Sequence, residues 1–497
     1  MRNSFKAALT GLVLATALGA AGGGFAQDAK APAKAEALEL PAFPADKSVK
    51  QTTTVGGKVI SYTATVGSLP VRDEKGKKVA EVAFTAYTLD GPRDPNRPLT
   101  FAFNGGPGAA SVYLNFALGP KRVQFGAEGD SPSAPVKLED NPASWMDFTD
   151  IVFIDPVGTG FSRSLTTEEE TKKRFYGVKQ DIDYLSRIVF DYLVKTERLA
   201  SPKYIVGESY GGFRGPRLAY TLQTDLGVAV KGVVLVSPLL TSAGRQGQEV
   251  SPLPSMWTLP SIAAAKLERD GKLTPDAIKA VEDYTRGEYM VDLMKGSDPA
   301  ALDRLTTRVS AMTGLDPDYV RRAGGRLETQ SFLREVFRDK GRLGSRYDSN
   351  VTSADPFPFA PEQETNDPIL DSIIAPTTSA IVDFTTRTVG WKPEARYEAL
   401  SNGVNRLWDR GRGADTESVS DLRKIVSVDP KLKVLIVHGY NDLSCPFFAS
   451  RLIVDAMPAT VAGRVSLALY PGGHMFYSRA DSGAAFRKDV MALYGVK

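Results

Sequence analysis

The sequence predicts an α/β fold: a doubly wound, mostly parallel sheet interrupted by a mostly helical cap insertion. Three observations predict it. Short apolar runs at 99–103, 151–154, 204–206, 232–236 and 433–437 have the length and continuous hydrophobicity of strands buried on both faces. Helix-period segments fall between several of them, as parallel crossovers require. From about residue 242 to 421 the strand-like runs thin out, and helix starts with a capping residue before proline take their place.

The N-terminus opens with Arg2 and Lys6, continues through an apolar run at 7–21 and ends in small residues at Ala26, the three regions of a secretory signal peptide. Export with cleavage after Ala26 is expected. The run is shorter than the roughly 20 apolar residues of a spanning helix, which argues against an anchor. Residues 27–50 are rich in Ala, Pro and Lys and read as a flexible leader. The core's first part is then expected over 51–241, the insertion over 242–427 and the core's second part over 428–497.

Within the first part, alternating patterns at 58–66 and 78–89 predict an antiparallel hairpin. Val178, Ile182, Leu185, Val189 and Leu193 share one face of a helix expected from 178 to about 200. In the insertion, Thr274-Pro275, Asp298-Pro299 and Asp316-Pro317 mark three helix starts, whereas 355–368 reads as an irregular loop. A further strand is expected at 465–470.

With 497 residues, 42% of them hydrophobic, the chain can bury a large core. Its 61 basic and 58 acidic residues nearly balance, and cleavage would remove Arg2 and Lys6, so charge gives no case for nucleic acid or an anionic membrane as partner. Cys445 is the only cysteine, which excludes an intrachain disulfide and, with export, suits a periplasmic or extracellular location. Oligomeric state is not legible.

The chemistry centres on Gly207-Glu208-Ser209-Tyr210-Gly211, which follows an apolar run and leads into a helical pattern. That is the sequence form of a strand-to-helix turn that presents a serine, making Ser209 the candidate nucleophile. A serine hydroxyl needs an imidazole to take its proton and a carboxylate to orient that imidazole. Of two histidines, His474 sits in a Gly-rich loop beyond a strand and is the candidate base, while His438 closes a strand and reads as structural. Asp442, past the 433–437 strand, completes the chain order Ser, Asp, His. The oxyanion donors are expected from the amides of Tyr210 and of the glycine loop Asn104-Gly105-Gly106-Pro107-Gly108.

Together with Asn141-Pro142, Ser144-Trp145 and Asp155-Pro156-Val157-Gly158-Thr159-Gly160-Phe161-Ser162, these motifs closely resemble the serine carboxypeptidase family of α/β-hydrolases. The resemblance spans about 99–240 and 433–477, and meets the family's helical cap only in position. It implies a peptide with a free C-terminus as substrate, Gly106 and Tyr210 as the oxyanion hole, Asn104, Gly105 and Glu208 as the carboxylate-binding residues, and no metal or cofactor. A glutamate beside an anionic substrate requires one carboxyl of the pair to keep a proton, so mildly acidic pH should be favoured. Two departures stand out: Ala117-Leu118-Gly119-Pro120 lacks a glutamate common in the family, and Ala102 stands where tryptophan is usual. Ester hydrolysis or acyl transfer on the same triad, and a catalytically silent binding protein, remain as alternatives. Cys445 lies close enough in sequence to Asp442 to reach the pocket, though small core filler is the commoner role.

Overall fold

The computed structural model describes residues 40–123, 132–133, 136–242, 251–296, 298–360 and 367–496. The expected signal peptide and residues 27–39 of the expected leader lie outside the described residues. Nine strands form the path of the main sheet: β1 (Lys47–Val55), β2 (Lys58–Arg72), β3 (Lys78–Leu89), β4 (Leu99–Phe103), β5 (Asp150–Ile154), β6 (Lys203–Glu208), β7 (Gly232–Val236), β8 (Lys433–Gly439) and β9 (Val465–Tyr470). Their spatial order is β1-β2-β3-β5-β4-β6-β7-β8-β9, with the two-residue strand Arg163–Ser164 beside β3. β1 to β3 form an antiparallel meander whose last strand pairs antiparallel with β5. Every pairing from β5 to β9 is parallel. This is the α/β-hydrolase fold that the sequence predicts.

Residues 47–50 correct the expected leader, because they open β1, where Lys47 pairs with Val66. The strand is polar, with only Thr53 and Val55 of its side chains buried, so pairing of its backbone with β2 does most to hold its first residues in place.

The helices used below are α1 (Val112–Leu118), α2 (Val178–Lys195), α3 (Tyr210–Thr224), α4 (Leu253–Arg269), α5 (Pro368–Asp383), α6 (Asn402–Leu407), α7 (Val419–Val428), α8 (Phe447–Asp455) and α9 (Ala480–Tyr494). Strand side chains alternate between two buried layers. Phe101, Val152, Ile205, Val233 and Ile436 pack with Ile182 and Leu185 of α2, Leu218 of α3 and Leu422 of α7. Their neighbours Ala102, Phe153, Val206, Val234 and Val437 pack with Leu114 of α1, Ile373 of α5 and Phe486 of α9.

The insertion is not the single block expected over 242–427. Its first part owns a separate apolar cluster that joins Leu259, Ile262, Leu305, Val309 and Phe332 to Phe447 and Phe448 of α8. Its later part packs into the two layers of the sheet, and the expected boundary at 427/428 cuts through α7, whose Leu422, Ile425 and Val426 belong to the core. The three expected caps are present: Thr274, Asp298 and Asp316 accept from the amides of Ala277, Ala300 and Tyr319. Asp367 uses the same device before Pro368, so the expected loop over 355–368 ends at a capped helix start, while its residues 361–366 lie outside the described residues.

Candidate active site

β6 lies between β4 and β7 in the middle of the sheet, so the loops at the C-terminal ends of these strands meet. Ser209 follows β6 with φ 61° and ψ −120°, a conformation that side chains rarely adopt, and α3 starts at the next residue. Its amide donates to the Val236 carbonyl at 2.9 Å, and its carbonyl accepts from Gly212 and Leu239, which pins the strained turn from both sides. Gly207 is required here, since a Cβ would lie 1.9 Å from the Gly211 carbonyl oxygen. Gly105 is required for the same reason, as a Cβ there would lie 2.4 Å from the Tyr210 nitrogen. That close approach sets the first loop against the start of α3, and both Gly106 and Tyr210 line the cavity above Ser209. As the first residue of a helix, Tyr210 has no intrahelical acceptor for its N–H.

β8 and β9 deliver the other two groups. Asp442 is fully buried, and its Oδ1 accepts from the amides of Ser444 (2.8 Å) and Cys445 (2.9 Å). Its Oδ2 faces His474 Nδ1 at 2.7 Å. This leaves Nε2 free of Asp442, and His474 lines the same cavity as Ser209. Burial pushes the His474 pKa down, but the charge and hydrogen bond of Asp442 outweigh it and hold the imidazole above its ordinary value. His438 is the contrasting case. Fully buried, it bonds Ser450 Oγ through Nε2 at 2.8 Å, and burial takes its pKa down to about 3.

Glu208 and Asn104 are each 3% exposed and face the cavity. Glu208 Oε2 accepts from Asn104 Nδ2 and from the Tyr477 hydroxyl, both at 2.8 Å. Asn104 Oδ1 accepts from the Leu114 amide, so the side-chain amide presents its donors to Glu208. Burial raises the Glu208 pKa to about 7, although His474, Tyr477 and Asn104 all pull it back. Beneath this pair, the buried Arg214–Asp181 ion pair donates a further hydrogen bond from Arg214 to the Asn104 carbonyl at 2.7 Å.

The insertion reaches the site in two ways. Arg346, Tyr347, Leu370, Asn405 and Arg410 line the cavity, and the Tyr347 ring meets the His474 ring edge-on at 5.3 Å. The Tyr347 carbonyl also accepts from the His474 amide. In addition, Glu268 of α4 accepts from Asn441 Nδ2 (2.6 Å) and from Arg479 (2.6 Å), and Arg479 also pairs with Asp348. This network ties the neighbour of Asp442 to the turn after His474 and to the insertion.

All eight site residues expected from sequence thus gather around one cavity of about 590 Å³, seven in its lining and Asp442 behind His474. Cys445 lines it too and is buried. Sequence reasoning missed Tyr477, Arg346 and Tyr347. Tyr477, three residues beyond His474 in the same turn, was findable by its position; Arg346 and Tyr347 carry no local motif.

Fold and site together define an α/β-hydrolase with a nucleophile turn, an imidazole–carboxylate pair and a buried second carboxyl. Residues 73–268 match the serine carboxypeptidase family. Among similar proteins, serine carboxypeptidase-like 50 of Arabidopsis thaliana is 30% identical over 157 residues, 31% of this chain and 32% of that one. Serine carboxypeptidase-like 9 of the same plant is 31% identical over 188 residues, 35% of this chain and 41% of that one. The pheromone-processing carboxypeptidase KEX1 of Yarrowia lipolytica is 30% identical over 158 residues, 31% of this chain and 24% of that one. The chain thus spans less than half the length of these curated relatives.

Proposed function

We propose that this protein is an exported serine-type carboxypeptidase that releases the C-terminal residue of peptides through an acyl-enzyme. The observation that carries this reading is the convergence, on one cavity, of the strained Ser209, the Asp442–His474 pair and the Glu208–Asn104 pair. Ser209 Oγ attacks the scissile carbonyl carbon while His474 Nε2 takes its proton. The carbonyl oxygen, now negative, is met by the amides of Gly106 and Tyr210. The C–N bond breaks, His474 passes its proton to the leaving nitrogen, and the acyl group stays on Ser209. Water, deprotonated by His474, then releases the acid and restores the serine.

Asn104, Gly105 and Glu208 hold the substrate's terminal carboxylate in this scheme. With its pKa at about 7, Glu208 still carries a proton at mildly acidic pH and can donate it in a hydrogen bond to that carboxylate. As pH rises through 7 the two carboxylates repel. On the acid side the limit is protonation of His474, whose raised pKa moves that limb upward. Export rests on the pattern of residues 1–26, and the mass of the mature chain recovered from its producing cells checks it.

Ester hydrolysis or acyl transfer is the second reading. It is favoured by Ala117-Leu118-Gly119-Pro120, which offers no second carboxyl to the site. Treatment with a serine-directed fluorophosphonate tests the shared chemistry. Stoichiometric labelling that Ser209→Ala abolishes is expected; no labelling, or labelling that survives the substitution, would remove both readings.

A further inference from the structure

Two cationic side chains of the cavity take no part in the chemistry above. Arg410 is exposed and donates to Asn405 Oδ1 at 3.2 Å, and Asn405 in turn donates to the Pro107 carbonyl at 2.9 Å. Arg346 differs. Half-buried in the lining, it has a buried Nε with no hydrogen-bond partner, and among the described residues its guanidinium forms no ion pair. The carboxylate closest to it in the bonding network, Asp367, is engaged elsewhere. Its oxygens accept from Ser345 Oγ (2.6 Å), the Ile369 amide (2.9 Å) and the backbone amide of Arg346 itself (2.8 Å), not from the guanidinium.

An arginine carries five donors and no acceptor, and a buried Nε left unmet is unfavourable unless an acceptor arrives. The cavity has room for one. Among the described residues Glu208 is the only carboxyl in its lining, and it is already bonded by Asn104 and Tyr477, so two arginines face a single acid there.

The position of Arg346 says which part of a substrate it meets. It directly precedes Tyr347, whose carbonyl holds the His474 amide, and its own carbonyl accepts from the amide of Leu443, the residue after Asp442, so it stands on the imidazole's side of the site. In the reading above His474 gives its proton to the leaving nitrogen, which puts the released residue on that side. We propose that Arg346 is a carboxylate-recognition residue for the released residue, receiving the side chain of a C-terminal Asp or Glu or adding a cation to the terminal carboxylate that Asn104, Gly105 and Glu208 hold. The proposal rests on the carboxypeptidase reading.

Calorimetric titration of the Ser209→Ala chain with blocked dipeptides ending in Glu, in Gln and in Gln amide, at pH 6 and low salt, separates the sources. The Glu-to-Gln affinity ratio reports the side-chain carboxylate, and the acid-to-amide ratio the terminal one. Adding Arg346→Gln should shrink one of the two by about tenfold or more, the size expected of a charge-assisted hydrogen bond, while Arg346→Lys keeps part of it. Both ratios unchanged in Arg346→Gln, with thermal unfolding showing a folded chain, would overturn the proposal. Turnover is read separately on chains that retain Ser209. Carboxylate-dependent binding without any peptide hydrolysis removes the carboxypeptidase reading and leaves Arg346 as an anion site; hydrolysis indifferent to Arg346 does the reverse.

Discussion

The α/β core and the insertion line the same cavity but hold their side chains by different means. Core groups sit at strand ends and are over-determined: Ser209 is pinned by backbone bonds to two neighbouring segments, and Asp442 by two amides and an imidazole. Insertion groups reach the cavity from loops and short helices, and Arg346 and Arg410 are held by few polar contacts or none. Reacting atoms need fixed geometry, whereas recognition of one substrate over another tolerates, and benefits from, groups that can be exchanged.

This contrast breaks first at Ser209. Ser209→Ala should lower peptide turnover by about 10⁴- to 10⁶-fold with little change in thermal stability, since no core contact is lost. Asp442→Asn keeps the acceptor for Ser444 and Cys445 but presents a donor to His474 Nδ1, so a loss of about 10³- to 10⁴-fold in kcat is expected at neutral pH. Arg214→Ala probes the floor of the core. It strands the buried Asp181 and frees the Asn104 carbonyl, and should cost about 3–5 kcal/mol of unfolding free energy in denaturant titration. Glu268→Gln, in the insertion's polar network, should leave stability within about 1 kcal/mol and reduce kcat only several-fold, because it loosens the Asn441 loop without removing any reacting group. An effect of Glu268→Gln as large as that of Asp442→Asn would erase the distinction between the two regions.

The same contrast explains what was legible in the sequence. Strands β4, β7 and β8 are continuous apolar runs bounded by glycine, proline or charge, and their periodicity is local information. The nucleophile turn and the glycine loop were legible because steric demands at Gly207 and Gly105 leave a mark on the chain itself. The caps at Thr274, Asp298 and Asp316 were legible for a similar reason, since satisfying a helix start is a short-range problem. Arg346 and Tyr347 were not, because their role depends on a loop of the insertion arriving beside His474, a long-range outcome of packing. The allocation of α7 to the core was hidden for the same reason: its apolar face fits a cap or a sheet equally well until its neighbours are known. Polar β1 was hidden because edge pairing needs no hydrophobic signature.

Glu208 links the two regions, standing on a core strand and meeting the substrate that the insertion helps to choose. Burial, with a smaller contribution from the charge of Asp442, pushes the Glu208 carboxyl up to about 7. Its folded pKa lies above the unfolded value, so ionising it costs stability progressively between pH 4.5 and about 7, and Glu208→Gln should raise the melting temperature more at pH 8 than at pH 5.

The most direct test is the pH dependence of kcat/KM for a blocked dipeptide and for the same dipeptide with its C-terminal amide, measured on the wild-type chain from pH 5 to pH 8. The free acid should be cleaved at least tenfold faster at pH 5, and that advantage should fade as pH passes through about 7, where Glu208 loses its proton. Equal rates for acid and amide across the range would contradict a carboxylate held by Glu208, and with it the assignment of this site to C-terminal residues.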